Sequence, residues 1–492
     1  MIRPLSLLRT ALCALLVSLA ASCQSDPEAP ELSVSVRTVS LAGAAGAEMS
    51  FSVTAGAPWS LAAEGGGFGV SAEGGDAGTT RVTVRSEASN DGRTRRNLGR
   101  IVVRLNSGER SVALAVSQRP AEASHAFFFF FFGTSLQSFF DANLRHALES
   151  MNAAVPGDGR VAAFCRRNGT WQIVELAYDP ATDEAAVIPL REFADPDRST
   201  PEFLTRTLAE MMELIPAAGY GVAFGGHGTG WLPAGCSVYG PAIDFGTFAR
   251  RMAGADDSWP VTRYFGERGS LFDIGDISEA LAATGVRFDY LIFDDCFMSN
   301  IETLYTLRRN ARYIVASPCE IMGSGFPYRY VVPALFDGER SLSERLHEVC
   351  ASFYRYYLSE YDPAFPSGCI ALTDCDRLDA LAAAARPLFA TASSACDPER
   401  LQSYEGLPRH LFYDFLQYAE QVATDPRALD SFRERFDEAF PPDSRFHTPS
   451  FYSYYSRPDM RPIDFYSGVT CSAPSELYPA ENGATEWWRS VR

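Results

Sequence analysis

The sequence predicts an α/β protein with a mostly parallel sheet covered by helices on both faces, preceded by an all-β sandwich. Three observations carry this. Residues 126–135 read AFFFFFFGTS, an apolar run of seven followed by a turn. Leu136, Phe139, Phe140, Leu144, Leu148 and Met151 then recur at helical spacing. A continuously apolar strand running through a tight turn into an amphipathic helix fits a strand buried on both faces. A membrane span needs about 20 apolar residues, so the phenylalanine run is too short to be one. The second observation is that the same strand-and-helix alternation continues down the chain. The third is that residues 32–119 hold only short alternating runs separated by glycine-rich turns.

Taken in order, the N-terminus MIRPLSLLRTALCALLVSLAASC places Arg3 and Arg9 ahead of an apolar stretch of signal-peptide length. Leu19-Ala20-Ala21-Ser22-Cys23 resembles a bacterial lipobox, which implies a signal peptide over 1–22 and lipidation at Cys23. An ordinary cut near Ala21 is the alternative. Residues 23–31 are polar, acidic and proline-bearing, as in a tether; an acidic stretch there also resembles a surface-export signal. Together these imply an outer-membrane lipoprotein of the cell envelope, anchored by lipid and open to surface exposure.

Within 32–119, MSFSVTA (49–55), TRVTVRS (80–86), RIVVRLN (100–106) and SVALAVS (111–117) read as strands of an immunoglobulin-like sandwich. Pro58-Trp59-Ser60, the arginine-rich segment before Ile101 and Val116-Ser117-Gln118 resemble a BACON domain. That resemblance implies glycan or mucin binding, or a spacer role.

From residue 124 to 492 the pattern is α/β, with a core to about 400 and a C-terminal extension after it. Strands are predicted at 160–165, 171–177, 219–224, 289–293, 313–316 and 369–373. Helices are predicted at 136–151, 201–216, 276–284, 299–310, 341–358 and 376–390. In such sheets, sites lie at the carboxyl ends of strands.

Composition narrows the function classes. A content of 46% hydrophobic and 12% aromatic residues says globular. A formal charge of −18 with no basic run argues against nucleic acid. Of 11 cysteines, two fall in the leader, and the remaining nine form no CxxC pair and no metal-ligand spacing. Neither GxxxxGK[ST] nor GxSxG occurs, which removes the P-loop and serine-elbow readings.

Two strand ends carry chemistry. In GYGVAFGGHGTGWLP (219–233), His227 follows a buried strand among Gly225, Gly226, Gly228 and Gly230, a loop suited to presenting a side chain and backbone N–H groups. In FDYLIFDDCFMSNIETLYTLRRN (288–310), a strand ends in Asp294-Asp295-Cys296. Ser299 and Glu302 have capping-box spacing, which would place Cys296 just ahead of a helix N-terminus that favours thiolate. Strand alternation predicts that Asp294 and Asp295 face opposite sides. Cys375, behind Asp374 in CIALTDCDRLDAL, is a rival at another strand end, but only Cys296 has a matching histidine loop on a preceding strand.

GGHGTGW, then FDDCFMSNIE, then Ala316-Ser317-Pro318-Cys319-Glu320 and Gly325-Phe326-Pro327-Tyr328 resemble the clostripain family of cysteine peptidases over most of 125–492. The resemblance implies a caspase-like fold, with Cys296 as nucleophile and His227 as its dyad partner. It further implies an oxyanion hole from the backbone N–H groups of Gly228 and Cys296. It makes Asp294 the acid of an S1 pocket selecting Arg or Lys, so the partners are protein or peptide substrates with a basic P1 residue. It leaves calcium open as a cofactor. Two departures stand out: Asp295 occupies a position usually small, and Gly133-Thr134-Ser135 replaces an Asp-Asn pair at the first strand end. Against the peptidase reading stand a surface-anchored glycan- or protein-binding lipoprotein with an inactive caspase-like body, and a hydrolase or ligase of the same fold acting at non-basic sites. The long connection from Trp231 to Phe272 contains Arg250, Arg251, Arg263 and Arg268. Relatives mature by cleavage between the histidine and cysteine strands, which points to autoprocessing after Arg251; solvated surface arginines are the alternative.

Overall fold

The computed structural model describes residues 31–492 except 109, 133–134, 153–154, 156–158, 180–181, 195, 197, 199, 235, 237–259, 263–271, 393–395 and 457–458. The leader with Cys23, and Arg251 with most of the connection around it, therefore lie outside the described residues. The described chain divides into two compact units.

The first unit is all-β. One sheet pairs Leu32–Val34, Glu48–Ala55, Gly78–Ser86 and Phe68–Val70 in that order; the other pairs Thr38–Leu41, Ser111–Gln118, Arg96–Leu105, Trp59–Gly65 and Gly74–Gly75. Alternate residues of the strands turn inward. Phe51, Val53, Val82 and Val84 of the first sheet share one core with Trp59, Leu61, Ile101, Val103 and Val116 of the second. This is a sandwich, as the alternation implies.

The second unit is built on nine strands: β1 (His125–Phe131), β2 (Gly159–Arg167), β3 (Thr170–Asp179), β4 (Glu184–Phe193), β5 (Tyr220–Gly225), β6 (Phe288–Asp294), β7 (Ala311–Ala316), β8 (Ile370–Asp374) and β9 (Arg445–Phe446). Their order is β4-β3-β2-β1-β5-β6-β7-β8-β9. Strands β2, β1, β5, β6 and β7 run parallel to their neighbours within the centre of the sheet. The outer strands β3, β4, β8 and β9 are antiparallel. At β2–β3 the cause is local. Asn168 and Gly169 both have positive φ (50° and 86°), the requirement of a two-residue hairpin turn, and such a turn cannot make a parallel crossover. The Asn-Gly pair was therefore a legible signal for an antiparallel edge, and β4 was not predicted.

The phenylalanine run divides between the two faces as a strand must. Phe128 and Phe130 enter the core under α2 (Pro201–Leu214), α3 (Ile274–Ala283), α4 (Ile301–Leu307), α7 (Leu378–Ala390), α8 (Phe415–Val422), α9 (Pro426–Ala439) and α10 (Glu486–Val491). Phe127, Phe129 and Phe131 enter the opposite core under α1 (Gln137–Glu149), α5 (Tyr328–Leu335) and α6 (Leu342–Arg355). Phe131 stacks on Phe140 of α1 at 4.4 Å, and Phe129 meets Tyr328 edge-on at 4.7 Å. Helix starts follow local signals: Thr200 caps α2 ahead of Pro201, and Ser341 with Glu344 forms a capping box on α6. The segment after residue 400 supplies Phe415, Phe432, Phe436, Trp487 and Trp488 to the first of these cores.

No described helix is long and apolar enough to cross a membrane.

Candidate active site

Strands β5 and β6 are parallel neighbours, with Gly225 level with Asp294. Their carboxyl ends therefore open at the same edge of the sheet. The chain leaving β5 turns through Gly226-His227-Gly228 and packs against the chain leaving β6. A Cβ built on Gly228 would lie 2.3 Å from the carbonyl oxygen of Cys296 and 2.9 Å from the Asp295 Cβ. Only glycine permits that approach. Gly230, at φ 58°, is pressed in the same way against the Phe297 carbonyl, 2.6 Å from where its Cβ would be. The glycines thus serve contact between two strand ends, and His227 sits between two of them. Its Nε2 is 2.9 Å from the Ser135 Oγ, on the chain leaving β1. Ser135 was noted in the sequence only as a departure from an Asp-Asn pair; its approach to the histidine depends on β1 and β5 being neighbours.

Cys296 is fully buried, and it packs with Trp231, Leu232, Phe297, Leu411 and Phe412. Its Sγ accepts from the Ile321 N–H at 3.3 Å. The next residue, Phe297, holds φ at 62°, unusual for a bulky side chain, and its ring stacks on Phe412 at 4.5 Å. The backbone thus bends sharply just past the cysteine; the Cys296 carbonyl meets the β5 loop at Gly228, while the thiol lies against the backbone of Ile321.

The helix after Cys296 differs from the sequence expectation. It spans Ile301–Leu307, and its N-cap is Asn300, whose side chain accepts from the Thr303 N–H at 3.0 Å. Ser299 does not cap it: its hydroxyl donates to the Gly468 carbonyl at 2.7 Å. Glu302 makes no capping box either. Its buried carboxylate accepts from the Ser472 N–H at 2.9 Å and the Trp488 Nε1 at 2.8 Å, and burial raises its pKa. Residues far down the chain outcompeted the local cap. Cys296 thus stands five positions before a short helix, and the thiol's polar contact comes from Ile321 instead of a helix terminus.

Asp294 and Asp295 diverge, as strand alternation requires. The Asp294 carboxylate accepts from the Tyr328 hydroxyl at 2.8 Å, on the face covered by α5. Asp295 lies against Gly226 and Gly228 of the histidine loop. The extra carboxylate therefore faces the loop and Asp294 faces the other side.

Cys375 is placed elsewhere. Strand β8 is antiparallel, with Asp374 level with Tyr313 and Ala371 with Ala316. Its end thus lies beside the start of β7, at the opposite edge of the sheet from His227. Burial pushes the Cys375 thiol well above the usual range, the behaviour of an inert core cysteine. Among the described residues, no group of three or more His, Cys, Asp or Glu side chains comes together to hold a metal ion.

Comparison with known proteins agrees with this fold. The family model described as the clostripain family matches residues 179–429. No curated protein matches. Among solved structures, a secreted C11 cysteine protease from Bacteroides thetaiotaomicron ("iotapain") is 25% identical; the match covers 76% of this chain and 100% of that one, with a TM-score of 0.63. An inactive zymogen C11 protease from Parabacteroides distasonis is 27% identical over 76% of this chain and 99% of that one, with a TM-score of 0.62. A secreted C11 cysteine protease from Bacteroides thetaiotaomicron, solved with an irreversible peptide inhibitor, shares the fold at 22% identity and a TM-score of 0.62, over 75% of this chain and 99% of that one. With a caspase-like sheet, a histidine loop packed on a cysteine loop at its edge and a family match across half its length, the chain belongs to the clostripain family of cysteine peptidases.

Proposed function

We propose that this enzyme is an endopeptidase that cleaves after Arg or Lys through a Cys296–His227 dyad. The observation that supports the reading is the contact of Gly228 with the backbone carbonyl of Cys296, by which the histidine loop and the cysteine loop pack on each other. Ionised Cys296 attacks the scissile carbonyl: the S–C bond forms, and the C–N bond breaks as His227 protonates the departing amine. The backbone N–H groups of Gly228 and Cys296 stabilise the oxyanion, and water then releases the acyl-enzyme. Since Nε2 is engaged by Ser135, Nδ1 is the ring nitrogen assigned to the proton.

Asp294 is assigned to the S1 pocket. A buried carboxylate at a strand end, steadied by the Tyr328 hydroxyl, is the kind of group that pairs with a guanidinium. The peptide inhibitor in one similar structure and the inactive zymogen in another support peptide substrates and activation by processing, here after Arg251. The secreted neighbours and the lipobox together support a lipid anchor at Cys23 in the cell envelope. The sandwich is read as a glycan-binding module or a spacer.

The test is a set of fluorogenic peptides varying only at P1, with the wild type, Cys296→Ala and Asp294→Asn compared. Turnover after Arg or Lys that vanishes in Cys296→Ala and loses its basic preference in Asp294→Asn is expected. Turnover retained by Cys296→Ala would overturn the dyad, and wild-type cleavage after Asp or Leu but not Arg would overturn the specificity.

A further inference from the structure

Two buried cysteines that the chemistry above does not use meet where β7 ends and β8 begins. Cys319 lies three residues beyond β7, and Cys369 stands one residue before β8. The two strands are antiparallel neighbours, with Ala316 level with Ala371. The chain leaving β7 therefore runs alongside the chain entering β8. Cys319 and Cys369 share one buried cluster with Tyr404 and Phe451, and each of the four is at most 2% exposed. The two thiols are hydrogen-bonded to each other.

This placement suits a covalent bond. Neighbouring strands stand about 4.8 Å apart, and a disulfide joins residues whose Cα atoms are about 4.4–6.8 Å apart. Cys319 also belongs to the segment that packs on the Cys296 loop. Its carbonyl accepts from the Phe297 N–H at 3.0 Å, and its own N–H donates to the Ser317 Oγ at 3.1 Å. Two residues further on, the Ile321 N–H donates to the Cys296 Sγ at 3.3 Å.

We propose that Cys319 and Cys369 form a disulfide that pins the segment carrying Ile321 to the start of β8, closed by exchange with a small-molecule disulfide. One thiolate attacks a sulfur of the oxidant and releases a first reduced thiol. The second thiolate then attacks the mixed disulfide, which closes the Cys319–Cys369 bond and releases a second reduced thiol. The pair gives up two protons and two electrons, and the S–S bond of the oxidant takes them up. Local opening of the cluster admits the oxidant to the buried thiols. An envelope location of the kind proposed from the leader is one where such oxidants act. The pairing is independent of the reaction assigned to Cys296.

The test incubates the full folded chain with oxidised glutathione, beside a sample kept in dithiothreitol. Free thiols are then blocked with iodoacetamide in denaturant, and the protein is digested with trypsin without reduction. A cross-link between the peptides 313–329 and 356–377 is expected, with fragmentation placing the bond at Cys369 and leaving Cys375 alkylated. Oxidation is expected to raise the unfolding temperature by about 5 °C, the scale for closing a loop of this length in a chain of this size. Cys369→Ala is expected to lose both the cross-link and the rise. Recovery of Cys319 and Cys369 alkylated, or each carrying glutathione, overturns the pair, as does a bond from Cys319 to Cys375. A cross-link with no gain in unfolding temperature overturns the pinning.

Discussion

At the scale of single residues, small side chains and short contacts decide the site. Gly228 matters because nothing larger fits against the Cys296 carbonyl, and Phe297 because its positive φ turns the chain just past the thiol. Ser135 is the residue whose role was least visible beforehand. Its hydroxyl, 2.9 Å from the His227 Nε2, orients the ring. Ser135→Ala is expected to lower kcat roughly threefold to tenfold with KM little changed, the effect of one neutral hydrogen bond. Ser135→Thr keeps the hydroxyl and is expected to restore it. A steady-state comparison of the three proteins checks this, with the pH profile of kcat as a second reading, since a change in ring orientation moves the histidine limb. The histidine and cysteine themselves were legible from motif and strand-end position. The serine was not, because its contact needs two strands 90 residues apart to be neighbours.

At the scale of elements, β1 is the beam of the sheet. Each of Phe127 to Phe131 is buried, alternating between the two cores on either face of the sheet. Phe129→Ala is expected to destabilise the peptidase unit by about 3–5 kcal/mol, since it empties space against Tyr328, Phe127 and Phe131 at once. Phe132→Ala, just past the strand and half-buried, is expected to cost clearly less. Denaturant midpoints of the two variants, compared at equal slope, test the difference. Because Tyr328 holds Asp294, Phe129→Ala also loosens the proposed S1 acid.

The doubly buried strands were readable because a continuous apolar run has few other uses in a chain of this composition. The direction of the outer strands was not read, although Asn168-Gly169 announced the β2–β3 hairpin. The cap of α4 misled for a different reason. Ser299 and Glu302 have the right spacing, yet Gly468 and Ser472 take their hydrogen bonds, and Asn300 caps instead.

At the scale of the whole molecule, several acids are buried where segments from different parts of the chain meet. Glu320 is the clearest, its carboxyl pushed up to about 7 by burial, with Glu405 adding a like charge and the Ser453, Thr262 and Tyr454 donors opposing. Below the ordinary glutamate range, folded and unfolded chains both hold this proton and the group is neutral to stability. As pH rises from about 4.5 toward 7, the unfolded chain releases the proton while the folded chain keeps it, so stability falls. The loss is complete above 7 and amounts to about 3 kcal/mol. Glu302 and Asp414, also raised by burial, add to the same slope. Glu320→Gln is expected to flatten the decline of unfolding free energy over that window. Urea titrations at pH 5, 6 and 7 check it, and an unchanged slope would mean that Glu320 titrates normally.

The sequence alone determined the class of the sheet, the cysteine and histidine at its strand ends and the separate β-sandwich, because each rests on local pattern: apolar runs, glycine clusters and period-two alternation. The tertiary structure alone decided which cysteine shares an edge with His227, since Cys375 is excluded by the antiparallel direction of β8 and not by anything near it in sequence. It also decided that Ser135 reaches His227, that Tyr328 holds Asp294, and that Thr262 and Ser453 meet on Glu320. These are contacts between segments tens to hundreds of residues apart. No local preference encodes them, and they form only when the packing of both faces of the sheet brings those segments together.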